Sequence, residues 1–294
     1  MHPVLDDLIT LLHLERIEDN IFRGESRDIG SAQVFGGQVL GQALSAAQHT
    51  VEDRDVHSLH AYFLRRGDMD SPIVYEVDRA RDGGSFSNRR VVAIQHGRPI
   101  LNLAASFQTP EQGLEHQASM PDVPPAEQCE DILNSQSELI QQMPQKMRRH
   151  MAEKRAFELR PVPQPQEPGS AWKYVWFKAV DTLPDRPTLH RNLLAYASDY
   201  ELLATATIPH DVPFVSGGVI MASLDHALWF HRQVRIDDWL LYAIDSPNAS
   251  GARGFARGQF FNQSGELIAS TAQEGLMRVI DQPATERSDP KQQK

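Results

Sequence analysis

The sequence predicts an α+β fold made of two copies of one domain, each an antiparallel sheet wrapped around a buried helix. Three observations carry that prediction. The first is an internal repeat: Val56 to Gln108, opening VHSLHAYFLRRGD and closing LNLAASFQ, runs in step with Met221 to Gln273, opening MASLDHALWFHR and closing LIASTAQ. Both stretches start with a Ser-Leu pair, reach His-Ala soon after, and pass an aromatic region, a basic residue and a polar turn. Each then enters a strand holding Tyr75 or Tyr242, crosses a segment with Arg89-Arg90 or Arg253, and turns at Gly97 or Gly265. The offset of roughly 165 residues is far beyond a solenoid period of about 20–50 and implies a duplicated domain. The second observation is a pair of small-residue helical segments upstream of the strands, GGQVLGQALSAAQHTV from Gly36 and NLLAYASDYELLATAT from Asn192 to Thr207. Both are apolar over most of their circumference, so each should be buried nearly all round. The third is the run of alternating strands beside each helix, the pattern of an antiparallel sheet packed on one face.

Taken in order, the chain opens on MHPVLDDLITLLHLERIED, an amphipathic, acidic helix without the basic start, apolar core and small-residue cleavage site of a signal peptide. The first copy follows. Between the copies, MPDVPPAEQ and RPVPQPQEPGS mark a Pro-rich linker, with a short amphipathic helix expected around Asp131 to Arg155. The boundaries read as residues 1–112 for the first domain, 113–170 for the linker, 171–282 for the second domain and 283–294 for a polar tail.

Composition bounds the function. Of 294 residues, 40% are hydrophobic and 23% charged, as in ordinary soluble globular proteins. No run approaches the ~20 apolar residues of a membrane span. The formal net charge of −10 argues against nucleic acid as a partner. The lone Cys129 rules out an internal disulfide and any multi-cysteine zinc site, and the simplest location is a reducing cytoplasm. Local basic pairs exist at Arg65-Arg66, Arg89-Arg90 and Arg253 with Arg257, as solvated strand faces or as anchors for an anionic ligand.

The strings FGGQVLGQAL, SLHAYFLRRGD, SFSNRRVVAIQ, LLAYASDYELL, SLDHALWFHR, ARGFARG and STAQEGLMR, in this order over about residues 5–280, resemble the acyl-CoA thioesterase II (TesB-type) family. The resemblance implies a double hotdog, in which each curled antiparallel sheet holds a long central helix. It implies hydrolysis of acyl-CoA to free fatty acid and coenzyme A without metal or organic cofactor, in a homodimer or homotetramer.

Aligning the two copies pairs Ser45 with Asp199, Ser58 with Ser223 and Gln108 with Gln273. Only the second copy offers a carboxylate. Water attacks a thioester slowly unless a base takes its proton, help worth about 10²–10⁴-fold. The second copy is therefore the better candidate active site and the first a silent copy. The resemblance points to the same trio: the family's Asp, Thr and Gln fall on Asp199, Ser223 and Gln273, with serine in place of the commoner threonine. On this reading Asp199 projects from the central helix and takes a proton from a water fixed by Ser223 and Gln273. Gln273 equally suits a residue that satisfies a strand-end carbonyl, and Asp199 a buried paired acid or part of a polar stripe with Glu201.

Asp225 beside His226 invites a hydrolytic dyad, but strand neighbours point to opposite faces, whereas Ser223 and Asp225 share one. His57, His60, His226 and His231 lack metal-ligand spacing and read as strand histidines with ordinary partners. No Gly-x-Ser-x-Gly elbow, Walker loop or His-Glu-x-x-His occurs. Arg89, Arg90 and Arg253, in corresponding places of the copies, are candidates for the coenzyme A phosphates. Trp229 and Phe230 are candidates for an apolar acyl slot or for core. Two other readings stay open: a hydratase or dehydratase of acyl thioesters on the same fold, and a non-catalytic acyl-CoA-binding module.

Overall fold

The computed structural model describes residues 1–27, 33–134, 155–163, 170–210 and 218–280. The N-terminal helix α1 (Pro3–Leu12) starts on a proline, whose fixed φ suits the first helical turn, and buries Leu5, Leu8, Leu11 and Leu12 along one stripe. A short hairpin, β1 (Glu15–Glu18) and β2 (Ile21–Gly24), leads to helix α2 (Gly36–Gln48). Four strands complete the first copy: β3 (Asp55–Phe63), β4 (Ile73–Asp82), β5 (Phe86–Gln95) and β6 (Arg98–Gln108).

The second copy consists of β7 (Phe157–Pro161), β8 (Trp172–Ala179), helix α3 (Pro187–Ala197), a 3₁₀ helix (Leu203–His210), β9 (Val219–Ser223), β10 (Asp225–Phe230), β11 (Leu240–Ser250), β12 (Arg253–Asn262) and β13 (Leu267–Val279). All the strands described belong to one antiparallel sheet in the order β1-β2-β4-β5-β6-β3-β10-β13-β12-β11-β8-β7, with β9 paired to β13. The repeat is visible in that order: β4-β5-β6-β3 on one side of the seam mirrors β11-β12-β13-β10 on the other. At the seam β3 and β10 pair antiparallel, with Leu59 opposite Leu228, and neither side chain has any exposed surface.

Helix α2 is buried from Gly37 to Ala47, as its small-residue composition predicts, and lies against β2 to β6. Its two fully buried glutamines, Gln38 and Gln42, are partnered, whereas the Gln48 amide at its last residue has no hydrogen-bond partner among the described residues. The Gln42 amide donates to the Leu11 and Glu25 carbonyls and accepts from the Tyr75 hydroxyl. Helices α2 and α3 meet closely because Gly37 has no side chain: a β-carbon there would lie 2.1 Å from the Tyr196 carbonyl oxygen.

The second helix differs from the expected Asn192 to Thr207. It begins at Pro187 and ends at Ala197. Ser198 turns its hydroxyl back onto the Ala195 carbonyl, and Glu201 adopts φ 63°, which a right-handed helix does not accommodate. The 3₁₀ helix that follows packs on β8, β11, β12 and β13. Asp199 therefore sits in the turn after the helix, not on it.

Parts of the segment read as a linker are packed structure. Met120, Val123, Ala126 and Cys129 join a core with Trp176, Trp239, Leu241 and Phe261. Gln117 exchanges hydrogen bonds with the backbone at Gly265 and Leu267, and the Trp176 indole donates to the Pro124 carbonyl. Most of the helix expected over Asp131 to Arg155 lies outside the described residues, as does the expected tail from residue 283.

Candidate active site

Asp199 and Gln273, 74 positions apart, meet directly: the Gln273 Nε2 donates to Asp199 Oδ1 over 2.7 Å. Gln273 lies in the middle of β13, opposite Ala256 of β12, and is fully buried. It is not the strand-end residue that alignment with Gln108 implies, for Gln108 is the last residue of β6. A second donor comes from the first copy: the Gly37 N–H, in the first turn of α2, also bonds the Asp199 carboxylate. At Gly36 an added β-carbon would stand 2.7 Å from Asp199 Oδ2. The carboxylate thus rests on the positive end of a buried helix that belongs to the other copy. The copy read as silent supplies part of the site.

Burial pushes the Asp199 carboxyl up from 3.8 to about 6, against the lowering effect of the Gln273 and Gly37 bonds. The dryness has a visible source. Tyr196 and Tyr200 lie next to the carboxylate with their hydroxyls 3.3 Å apart, and Phe35 stacks on Tyr200. Glu201 forms no polar stripe with Asp199; it pairs with Lys173.

Ser223 reaches the same face of the sheet through a β-bulge. It stands opposite Gly275, while Ala227 stands opposite Ala272, so four steps along one strand are matched by three along the other. The extra residue, at Leu224, reverses the alternation. Ser223 consequently shares a face with Gln273 and His226, not with Asp225 as an unbroken strand would require. Asp225 instead accepts the Glu274 N–H. Ser223 and Gly36 both line a cavity of about 260 Å³, together with Val39, Phe63, Arg65 and Arg66.

His226, read from the sequence as a strand histidine with ordinary partners, lies against Gln273. It is buried beneath the Asp199–Gln273 pair, with Nδ1 3.2 Å from Gln273 Nε2 and Nε2 2.9 Å from Ser198 Oγ. The alternation that separates it from Asp225 puts it on Gln273's face, a signal the sequence held once Ala272 is paired with Ala227. Burial lowers its imidazole to about 3, so it is neutral.

The arginine candidates divide. Arg89 is buried and fully occupied, by the Thr50 hydroxyl and carbonyl, the Arg81 and Asn88 carbonyls and the Asp82 carboxylate. It braces β4 and β5 and is closed to a ligand. Arg90 is exposed on β5 opposite Asp78, and Arg253 is ion-paired with Glu274 at 2.9 Å. Arg89 sits inside β5 whereas Arg253 opens β12, so they are not equivalent positions. Arg65 and Arg66 are the basic pair that lines the cavity with Ser223. Trp229 faces away from the site, against His60 and a separate cavity of about 820 Å³ on the other side of the sheet, and Phe230 is core. No cluster of three or more metal-ligating side chains occurs among the described residues, and no helix among them is long and apolar enough to cross a membrane.

An antiparallel sheet built of two mirrored halves with two buried helices is the architecture of a hotdog-type protein, and comparison with solved structures agrees. An acyl-CoA thioesterase II from Mycobacterium marinum superposes with a TM-score of 0.79 at 41% identity, covering 93% of this chain and 99% of that one. A hot dog protein from Alicyclobacillus acidocaldarius, at 19% identity and TM-score 0.77, shares the fold. The acyl-CoA thioesterase family model matches residues 147–276, and the model of the acyl-CoA thioesterase N-terminal domain matches residues 23–108. Among curated relatives, acyl-CoA thioesterase 2 of Haemophilus influenzae is 46% identical over 96% of this chain and all of that protein. Human acyl-coenzyme A thioesterase 8 is 40% identical over 93% of this chain and 89% of its own length. The chain belongs to the acyl-CoA thioesterase family, in its double-hotdog, type II form.

Proposed function

We propose that this protein hydrolyses acyl-CoA thioesters at the Asp199 site by direct attack of water. Asp199 is the general base, and Gln273 and Ser223 hold the water. Oxygen adds to the thioester carbonyl carbon as the water's proton passes to Asp199. The carbon–sulfur bond then breaks, and the proton goes to the departing thiolate, giving a carboxylic acid and free coenzyme A. The observation that carries the reading is the 2.7 Å bond from Gln273 to a buried carboxylate whose pKa stands near 6. Such a group is ionised at neutral pH yet basic enough to accept a proton in the transition state. Ser223 supports the reading by sharing a cavity with Gly36, which abuts Asp199. The positive end of α2 lowers the cost of negative charge there. Arg65 and Arg66, at the same cavity, suit the phosphates of coenzyme A better than Arg89 or Arg253 do.

Incubation with a saturated acyl-CoA and a thiol-detecting dye tests the reaction class. Hydrolysis predicts steady release of free thiol. A hydratase, a dehydratase or a non-catalytic binding module predicts none from that substrate.

A further inference from the structure

We propose that His226 is a positioning residue for the hydrolysis, held as the neutral Nε2–H tautomer so that it fixes which way the Gln273 amide faces. This rests on the assignment of Asp199 and Gln273 to the reaction.

The argument is an accounting of protons along one buried chain. Its two ends can only accept: the Ala195 carbonyl and the ionised Asp199 carboxylate. Four bonds join them. Ser198 Oγ lies 2.9 Å from the Ala195 oxygen, and His226 Nε2 lies 2.9 Å from Ser198 Oγ. Gln273 Nε2 lies 3.2 Å from His226 Nδ1 and 2.7 Å from Asp199 Oδ1. Ser198 must spend its single hydroxyl proton on Ala195, so it accepts from His226, and the imidazole proton is on Nε2. Nδ1 is then an acceptor and takes one Gln273 N–H, while the other goes to Asp199. Every donor is used once and each bond has one proton. The same assignment follows from either end.

A flipped amide breaks this closure. It would set Oε1 against the Asp199 carboxylate and against a nitrogen that carries no proton, leaving two repulsive contacts in a dry site. The neutral state of His226 agrees with the accounting. The consequence is at Oε1. Gln273 has no exposed surface, and its Oε1 has no hydrogen-bond partner among the described residues. A buried amide oxygen left in this way carries the cost of its lost hydration unless something donates to it. The chain through His226 thus holds out one acceptor beside the base, the contact that orients a water's second O–H while Asp199 takes the first.

Two substitutions separate positioning from bulk packing. His226→Leu removes one of the two acceptors that hold the amide, leaving its orientation to Asp199 alone. His226→Asn places a side-chain oxygen near the position of Nδ1 and restores the second acceptor. The expected result with a saturated acyl-CoA is a roughly ten- to hundredfold fall in kcat for His226→Leu, with KM within about twofold, and recovery of most of that loss in His226→Asn. Unchanged kcat in the leucine variant, or equal impairment in both, overturns the proposal. Nitrogen-15 NMR of the wild-type protein at neutral pH reads the tautomer whether or not the leucine variant folds. An Nε2–H signature supports the proposal, and an Nδ1–H or imidazolium signature overturns it. Asp199→Asn is run alongside. If it keeps wild-type turnover, the assignment of the base fails; if it is inactive while His226→Leu is normal, only the role of His226 fails.

Discussion

At the scale of the residue, Asp199 is a carboxylate whose surroundings oppose its charge and whose bonds defend it. Burial raises its pKa from 3.8 to about 6, with Tyr196, Tyr200 and the neutral His226 around it and bonds from Gln273 and Gly37 lowering it. Because the ionised form is the active one, kcat/KM is expected to fall as pH drops through about 6. Gln273→Ala removes a bond that favours the charged form, so the acid limb should move to higher pH; a pH–rate profile checks both, and an unmoved limb contradicts the arrangement. The stability sign follows separately. A carboxyl whose folded pKa is raised contributes stability below its unfolded value and loses it as pH rises through about 6. Asp199→Asn should therefore raise Tm at pH 8, and the gain should shrink below pH 6 and be gone near pH 4. Of these residues, Asp199, Ser223 and Gln273 are the candidates that the repeat and the resemblance single out in the sequence, and the structure brings Asp199 and Gln273 into direct contact. The contacts of His226 with Gln273 and Ser198 were not legible, because they depend on a cross-strand register that spacing does not reveal. Arg89 was misread for a related reason: sequence shows a basic residue beside a turn but not that the chain folds its guanidinium inward onto Thr50 and Asp82.

At the scale of the element, two local departures build the site. The helix α3 stops at Ala197, which frees Asp199 to turn toward α2. The bulge at Leu224 re-aims Ser223 onto the face of Gln273. Neither was read from the sequence. LLAYASDYELLATAT keeps an apolar pattern straight through the break, and alternation has no mark for one extra residue. The close approach of α2 and α3 was legible only as a surplus of glycine and alanine. Its cost of disturbance is now definite. Gly37→Ala would drive a methyl group to 2.1 Å from the Tyr196 carbonyl and shift the N–H that holds Asp199. Overpacking of this kind typically costs about 1–3 kcal/mol. The expected outcome is a lower Tm in thermal unfolding together with a loss of turnover larger than the stability change alone would give.

At the scale of the whole molecule, the duplication read from the sequence appears as a mirrored strand order about the β3–β10 seam. What sequence could not convey is that the candidate site draws on both copies. Asp199, Ser223 and Gln273 come from the second copy, and the helix end that supports the carboxylate comes from the first. Residues 113–294 expressed without residues 1–112 are therefore expected to show no turnover, and co-expression of the two pieces to restore it; activity in the C-terminal piece alone would contradict a shared site. All of this depends on Asp199 acting as the base. The most direct measurement is turnover of a saturated acyl-CoA by Asp199→Asn, followed by thiol release in a variant whose cooperative unfolding shows it folded. The account predicts a loss of about a hundredfold or more in kcat, with KM little changed. Turnover within a few-fold of wild type would contradict it.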